Sequence, residues 1–142
     1  MATHAGLLRV STRGDGEVVD LTEGVASVVQ ASQVQVGVAV VFGVGSTLAV
    51  TTMEYESGGV QDLQASIERL LPRSAPGGGE YAHNVRNGDT NAHAHLRAAL
   101  IGPSETIPII DGRLGLGTWQ QVVLLDFDDR PRQRTVSVTV LS

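Results

Sequence analysis

Residues 34–53, VQVGVAVVFGVGSTLAVTTM, decide the fold. Val34, Val36 and Val38 alternate with Gln35 and Gly37, and the valine-rich run continues to Phe42. That period of two is the mark of a strand with one buried face. Gly43-Val44-Gly45 breaks the run, and residues 46–53 resume as another strand of small and β-branched residues. Strand follows strand here without a helix between them.

Working outward toward the N-terminus, residues 6–12 alternate as a first strand and 17–21 as a short second one. Gly14-Asp15-Gly16 between them is a hairpin signal. Thr22 is placed to cap a helix through residue 31, with Val25, Val28 and Val29 on one buried face. Toward the C-terminus, Glu54-Tyr55-Glu56 ends the fourth strand and Ser57-Gly58-Gly59 turns the chain. Residues 60–71 form the clearest amphipathic helix: Leu63, Ile67, Leu70 and Leu71 oppose Gln61, Gln64 and Glu68. Pro72 stops it, and residues 73–79 are a Pro/Gly-rich loop that runs on through Tyr81, His83 and Asn87. A further helix is expected over 92–100, with Asn91 as its N-cap and Gly102-Pro103 as its stop. Strands then follow at 106–110, 114–118, 121–127 and 134–141, with Asp111-Gly112 as a turn. Many hairpins and few βαβ units make this an α+β chain: a largely antiparallel sheet with about three helices packed on it, one domain over 1–142.

The formal net charge of −5 argues against nucleic-acid binding. There is no cysteine, so disulfides and thiolate metal sites are excluded. All ten Lys/Arg positions are arginine. Asp126, Asp128 and Asp129 stand beside Arg130, Arg132 and Arg134, a mixture of signs that reads as a solvated turn. No secretory signal and no apolar run of membrane-spanning length is evident, so a cytoplasmic protein without membrane contact is expected.

Chemistry concentrates at residues 83–97. His83, Asp89, Asn91, His93 and His95 are joined by Glu54, Glu56 and Asp62 from elsewhere in the chain. Histidines and carboxylates are ligands for zinc-like metals and acid/base groups near neutral pH. His93 and His95 are two apart, and a helix sends them to opposite sides. One of them therefore faces a site while the other packs or faces solvent. His83, upstream, can fold back over the helix start. Glu54 and Glu56 share a face, which is costly without a cation or donor nearby. Arg97, Arg113 and the helix N-terminus at Asn91 can hold an anion such as phosphate. The competing reading is that these residues cap and pack a glycine-rich loop. Trp119, the single tryptophan, is expected to anchor the core.

Asn91-Ala-His-Ala-His95-Leu-Arg97, Ile101-Gly-Pro-Ser104, Ile107-Pro108, Asp111-Gly-Arg-Leu114 and Leu116-Gly-Thr-Trp-Gln120 together resemble the YjbQ family. Thr12-Arg-Gly14, Tyr81-x-His83 and the segment from Phe127-Asp128 to Arg134 extend the resemblance over essentially the whole chain. The resemblance implies a compact α+β fold, a homotrimer with pockets near subunit interfaces, and a weak thiamine-phosphate synthase activity. That reaction joins a pyrimidine pyrophosphate to a thiazole phosphate with loss of pyrophosphate. It further implies a site at His83, His95 and Glu54, with a divalent metal (zinc or magnesium) or an anion at the two histidines. Asn91, Arg97, Ser46 and Thr47 fall to ligand binding. The chain departs from the family pattern at Gly45, where a histidine is usual, and at Met53, where an asparagine commonly precedes the acid. Two function classes follow. One is an enzyme acting on a small phosphorylated substrate; the other is a non-catalytic trimeric small-ligand-binding or structural protein that has lost the third histidine.

Overall fold

The computed structural model describes residues 2–142. Its elements run β1 (Thr3–Thr12), β2 (Glu17–Asp20), α1 (Thr22–Ser32), β3 (Gly37–Gly43), β4 (Leu48–Met53), α2 (Ser57–Leu70), α3 (Ala82–Asn87) and α4 (Ala92–Ile101). They continue with β5 (Ser104–Ile110), β6 (Arg113–Leu114), β7 (Gln121–Asp126) and β8 (Arg132–Leu141), and a single 3-10 turn lies at Pro76–Gly78. The α+β class with antiparallel sheets is what the residue pattern requires. It is built as two sheets, one ordered β1-β8-β3-β5-β6 and the other β2-β7-β4.

Strands consecutive in sequence are often not partners. β1 pairs with β8, β2 with β7, β3 with β5 and β8, and β4 with β7, all antiparallel. The chain changes sheet at every connection between consecutive strands except β5–β6. Gly14-Asp15-Gly16 is therefore not a hairpin. Asp15 N–H donates to Asp128 O and Gly16 N–H to Asp126 O, both at 2.7 Å, so the segment is stitched to the corner that follows β7. Gly14 sits there at φ +81°, and an added Cβ would lie 2.5 Å from Asp128 O, so both the backbone conformation and the space require glycine.

The smaller sheet is the middle layer. Leu48 and Val50 of β4 and Val122 and Leu124 of β7 pack toward the larger sheet, with Ala39, Val41, Ile107, Ile109, Val136, Val138 and Val140. Their neighbours Ala49, Val123 and Leu125, with Phe127, pack the other way, against Ile67 of α2 and Ala94 and Ala98 of α4. Alternate residues of β7 thus enter two different cores, which explains why its sequence is apolar throughout rather than alternating. α1 closes the first core with Val25 and Val29. Each fully buried valine or leucine contributes roughly 1.5–3 kcal/mol of transfer free energy.

Several local expectations shift by a few residues for identifiable reasons. α2 begins at Ser57 because the Glu56 carboxylate accepts from Gly58 N–H and Gly59 N–H, both at 2.8 Å. Those two bonds hold the Glu56 carboxyl below its usual range. Thr22 is the first helical residue rather than the cap; Asp20 accepts from its N–H, and its hydroxyl accepts from Val122 N–H of β7. The third strand starts at Gly37 and the fourth at Leu48, and of the expected 114–118 strand only Leu114 pairs with β5, together with Arg113 before it. Residues 82–87, expected to be loop, form α3, so the described residues hold four α-helices. No helix among the described residues is long and apolar enough to cross a membrane.

Candidate functional site

α3 and α4 are joined by residues 88–91, with Gly88 left-handed at the end of α3 (φ 61°, ψ 40°). This tight connection places His83 beside His95. Their ring centroids lie 4.8 Å apart with the planes tilted 46°, and both rings are half-buried. The fold-back expected of His83 is thus made by a helix rather than a loop.

His93 points away and is 0 % exposed. Neither of its ring nitrogens has a partner among the described residues. Burial first, then the positive charges of Arg73 and Arg97, push its pKa below the ordinary histidine value. It is a neutral packing residue near neutral pH, and His95 is the histidine that faces the pair.

Asn91 occupies the N-cap position of α4 but its side chain makes no capping bond. Its amide Nδ2 donates to Asp128 Oδ1 at 3.2 Å instead. The free N–H of Ala92 is capped from outside, by Asn84 of α3, whose Oδ1 accepts from it at 3.0 Å. The same Oδ1 lies 3.1 Å from His83 Nδ1, and Asn84 Nδ2 donates to Glu80 Oε1 at 2.9 Å. Asn84 is buried, and sequence reasoning missed it. Gly88 as a helix-ending glycine was the signal that could have revealed α3.

Arg97 is engaged within the fold. It is 5 % exposed, with Nε donating to Leu71 O at 2.9 Å and Nη2 bonded to the Glu68 carboxylate. Burial pushes the Glu68 carboxyl up, but the bonds from Arg97 and from Arg73 N–H outweigh it and hold the carboxyl below its usual range. Glu54 and Asp62 are exposed, and Glu54 makes no ion pair with either histidine among the described residues. Ser46 is exposed, whereas Thr47 is buried, its hydroxyl accepting from Arg134 Nη2 at 2.7 Å. Gly45 flanks the same guanidinium: a Cβ there would stand 3.2 Å from Arg134 Nη1.

The expected solvated turn is instead a buried ion network. Asp126 and Asp128 are 0 % and 2 % exposed. Asp126 accepts from Arg134 Nε at 2.7 Å and Nη2 at 3.0 Å, from Thr12 Oγ1 at 2.5 Å and from Asp128 N–H at 3.1 Å. Asp128 accepts from Arg132 Nε at 2.8 Å. Burial pushes the Asp128 carboxyl up, yet bonds from Asn91, Asp129 N–H and Arg132 prevail and lower it. An aspartate closing an apolar run, with arginines two apart on one face of the next strand, was the legible signal. Trp119 is no core anchor either: it is 75 % exposed beside the turn in which Gln120 N–H donates to Gly117 O at 3.1 Å. Arg113 lies apart from the histidines, in a cleft of about 590 Å³ with Thr22, Gln30, Leu116 and Gln120.

Among the described residues no group of three or more His, Cys, Asp or Glu side chains is arranged to hold a metal ion. Two imidazoles are one donor short of a catalytic zinc set and two short of a structural one.

The architecture is that of a small α+β protein with two antiparallel sheets and a histidine pair on adjoining short helices. The family described as UPF0047 protein YjbQ-like matches residues 7–142, and the chain belongs to it. It is 38% identical to a UPF0047 protein of Methanothermobacter thermautotrophicus over 94% of this chain and 87% of that one. A hypothetical protein from Aeropyrum pernix superposes with a TM-score of 0.87 at 34% identity, covering 100% of this chain and 99% of that one. An uncharacterized conserved protein of the YjbQ/UPF0047 family from Clostridium acetobutylicum does so at 0.82 and 32% identity, over 95% and 98%.

Proposed function

We propose that the His83–His95 pair is the ligand-facing centre of an enzyme that handles a small phosphorylated substrate, with thiamine-phosphate synthase chemistry as the first candidate. The observation that carries this reading is the contrast in engagement. The two half-buried imidazoles lie 4.8 Å apart, and only His83 Nδ1 is engaged. In that reaction a thiazole nitrogen attacks the pyrimidine methylene carbon, and the bond to pyrophosphate oxygen breaks. An imidazolium at the pair would donate to the departing pyrophosphate and neutral imidazole would recover the proton from water. Arg97 is already committed, so phosphate falls to another cation. Arg86 is exposed on α3, three residues after His83 on the same helical face, and makes no ion pair among the described residues. Glu54 takes no direct part in this reading unless a second subunit brings it close.

Self-association as a homotrimer accompanies the proposal. Trp119, Val44, Phe42, Leu70, Leu96 and Leu100 are all exposed, which supports a subunit surface. A neighbouring copy could then supply the donor that a divalent metal lacks. A cytoplasmic location fits a soluble phosphorylated substrate. The second reading, a non-catalytic trimeric binding protein, is favoured by Gly45, which puts no side chain beside Arg134.

Pyrophosphate release from the two substrates, measured with untagged wild-type protein and with His95→Ala, tests the choice. Turnover that disappears in the variant supports the enzyme; an unchanged rate removes the pair from catalysis. Metal content and light-scattering mass on the same samples address the rest. Near-stoichiometric metal lost in both His83→Ala and His95→Ala would mean a shared metal centre, and a monomer mass would refute the trimer.

A further inference from the structure

We infer that Asn84 is a positioning residue that locks His83 in the Nδ1–H tautomer and leaves Nε2 as its lone-pair nitrogen. A carboxamide has two ends of similar shape, so its orientation must come from its neighbours. Here both ends are determined. Ala92 N–H can only donate, so the atom 3.0 Å from it is the oxygen. The Glu80 carboxylate can only accept when ionised, so the atom 2.9 Å from it is the amide nitrogen. Glu80 stays ionised because Asn84 Nδ2 and Tyr81 N–H both donate to it, which lowers its pKa. The oxygen of Asn84 therefore faces His83 Nδ1 at 3.1 Å. Two bare acceptors at that distance would repel, so Nδ1 must carry the ring proton. A neutral imidazole has one N–H, and Nε2 is left without it.

Asn84 has two lone pairs on Oδ1, and both are used: one by the first turn of α4, one by the His83 ring. A single buried amide thus sets both the ring chemistry of His83 and the start of the helix that carries His95. A histidine side chain free in water prefers the opposite tautomer, with the proton on Nε2. The amide therefore reverses a preference rather than following it. The consequence for ligands rests on the function proposed above. In its neutral form His83 accepts at Nε2, so the group it meets is a hydrogen-bond donor, such as an N–H or O–H of the substrate, or an electron-pair acceptor. It does not meet a bare phosphate oxygen until the ring is protonated.

The test is long-range nitrogen-15 imidazole NMR on the full chain, at alkaline pH where the rings are neutral, with the His83 signals assigned by their loss in His83→Gln. Wild-type protein should show Nδ1 with the shift of a protonated nitrogen and Nε2 with that of a bare one. Asn84→Asp combined with Glu80→Gln keeps both acceptor contacts without setting two carboxylates 2.9 Å apart, and should preserve this order. Asn84→Ala should reverse it. A wild-type ring with the proton on Nε2 overturns the inference, and so does an unchanged order in a folded Asn84→Ala protein. Should Asn84→Ala fail to fold, as its capping role allows, the spectra of wild-type protein and of the Asn84→Asp, Glu80→Gln double variant still decide. Turnover does not enter this readout. A chain that shows the Nδ1–H form but releases no pyrophosphate would sink the proposed reaction and leave the role of Asn84 standing.

Discussion

Two polar regions of this molecule handle charge in opposite ways. At the corner between β7 and β8, Asp126 and Asp128 are buried and every exposed need is met: Thr12, Asn91, Arg132, Arg134 and backbone N–H groups all donate to them. At the α3–α4 junction, His83 and His95 are half-buried and only one ring nitrogen is bonded. A buried charge is tolerable only when it is paired and hydrogen-bonded, and a group so paired has no capacity left for a ligand. The first region is the frame; the second is where a ligand could still gain contacts. Asn91 links them, reaching from the head of α4 to Asp128.

The comparison breaks most visibly at Asp126. Asp126→Ala removes the carboxylate that takes two bonds from the Arg134 guanidinium, leaving that 11% exposed side chain only Thr47 Oγ1 and, at 3.6 Å, Asp128, and should cost about 3–5 kcal/mol in urea denaturation. A loss under about 1 kcal/mol would show that the network is not the frame. The next effect is pH dependence from His93, which the native state holds neutral. Its folded pKa lies below its unfolded value of about 6.5, so between the two the unfolded chain binds the extra proton. Stability from this group is complete above about pH 6.5 and declines as pH falls toward the folded value. The melting temperature should drop over that window in wild-type protein and be flatter in His93→Leu; equal slopes would exonerate His93. The smallest stability effect belongs to the histidine pair. His83→Ala and His95→Ala should each shift unfolding by about 1 kcal/mol or less, as changes away from core and network usually do. A cost above about 3 kcal/mol would make the pair structural and erase the contrast.

Much of the architecture was readable from residues alone because burial leaves a period. The unbroken apolar run into β7 reports a strand buried on both faces, and Ile67 of the helical stripe is buried, but Val36 and Leu70 are exposed and the core face of β3 is formed by Ala39 and Val41, one residue out of step with the expected valines. The separation of His93 from His95 followed from helix geometry, and the structure puts the first inside and the second beside His83. What failed were readings that needed to know a distant partner. Asp126 and Arg134 look like a solvated turn until β7 and β8 are seen to bury them against Thr12 and Thr47. Arg97 looks like a free anion holder until Glu68 and the carbonyl of Leu71 are seen to claim it. Trp119 looks like a core residue until the Gly117–Gln120 turn is seen to present it outward.

Residue pattern alone was enough for the α+β class, for most of the helices and strands though not α3, and for the residues able to do acid/base chemistry, because propensity and hydrophobic period act over a few neighbouring residues. Long-range packing was needed to settle which sheet each strand joins, which charges are consumed by the frame, and that Asn84 rather than Asn91 caps α4 and touches His83. Those outcomes depend on contacts between segments far apart in sequence or across a helix junction, where hydrogen bonds and desolvation choose among partners that local pattern leaves equivalent.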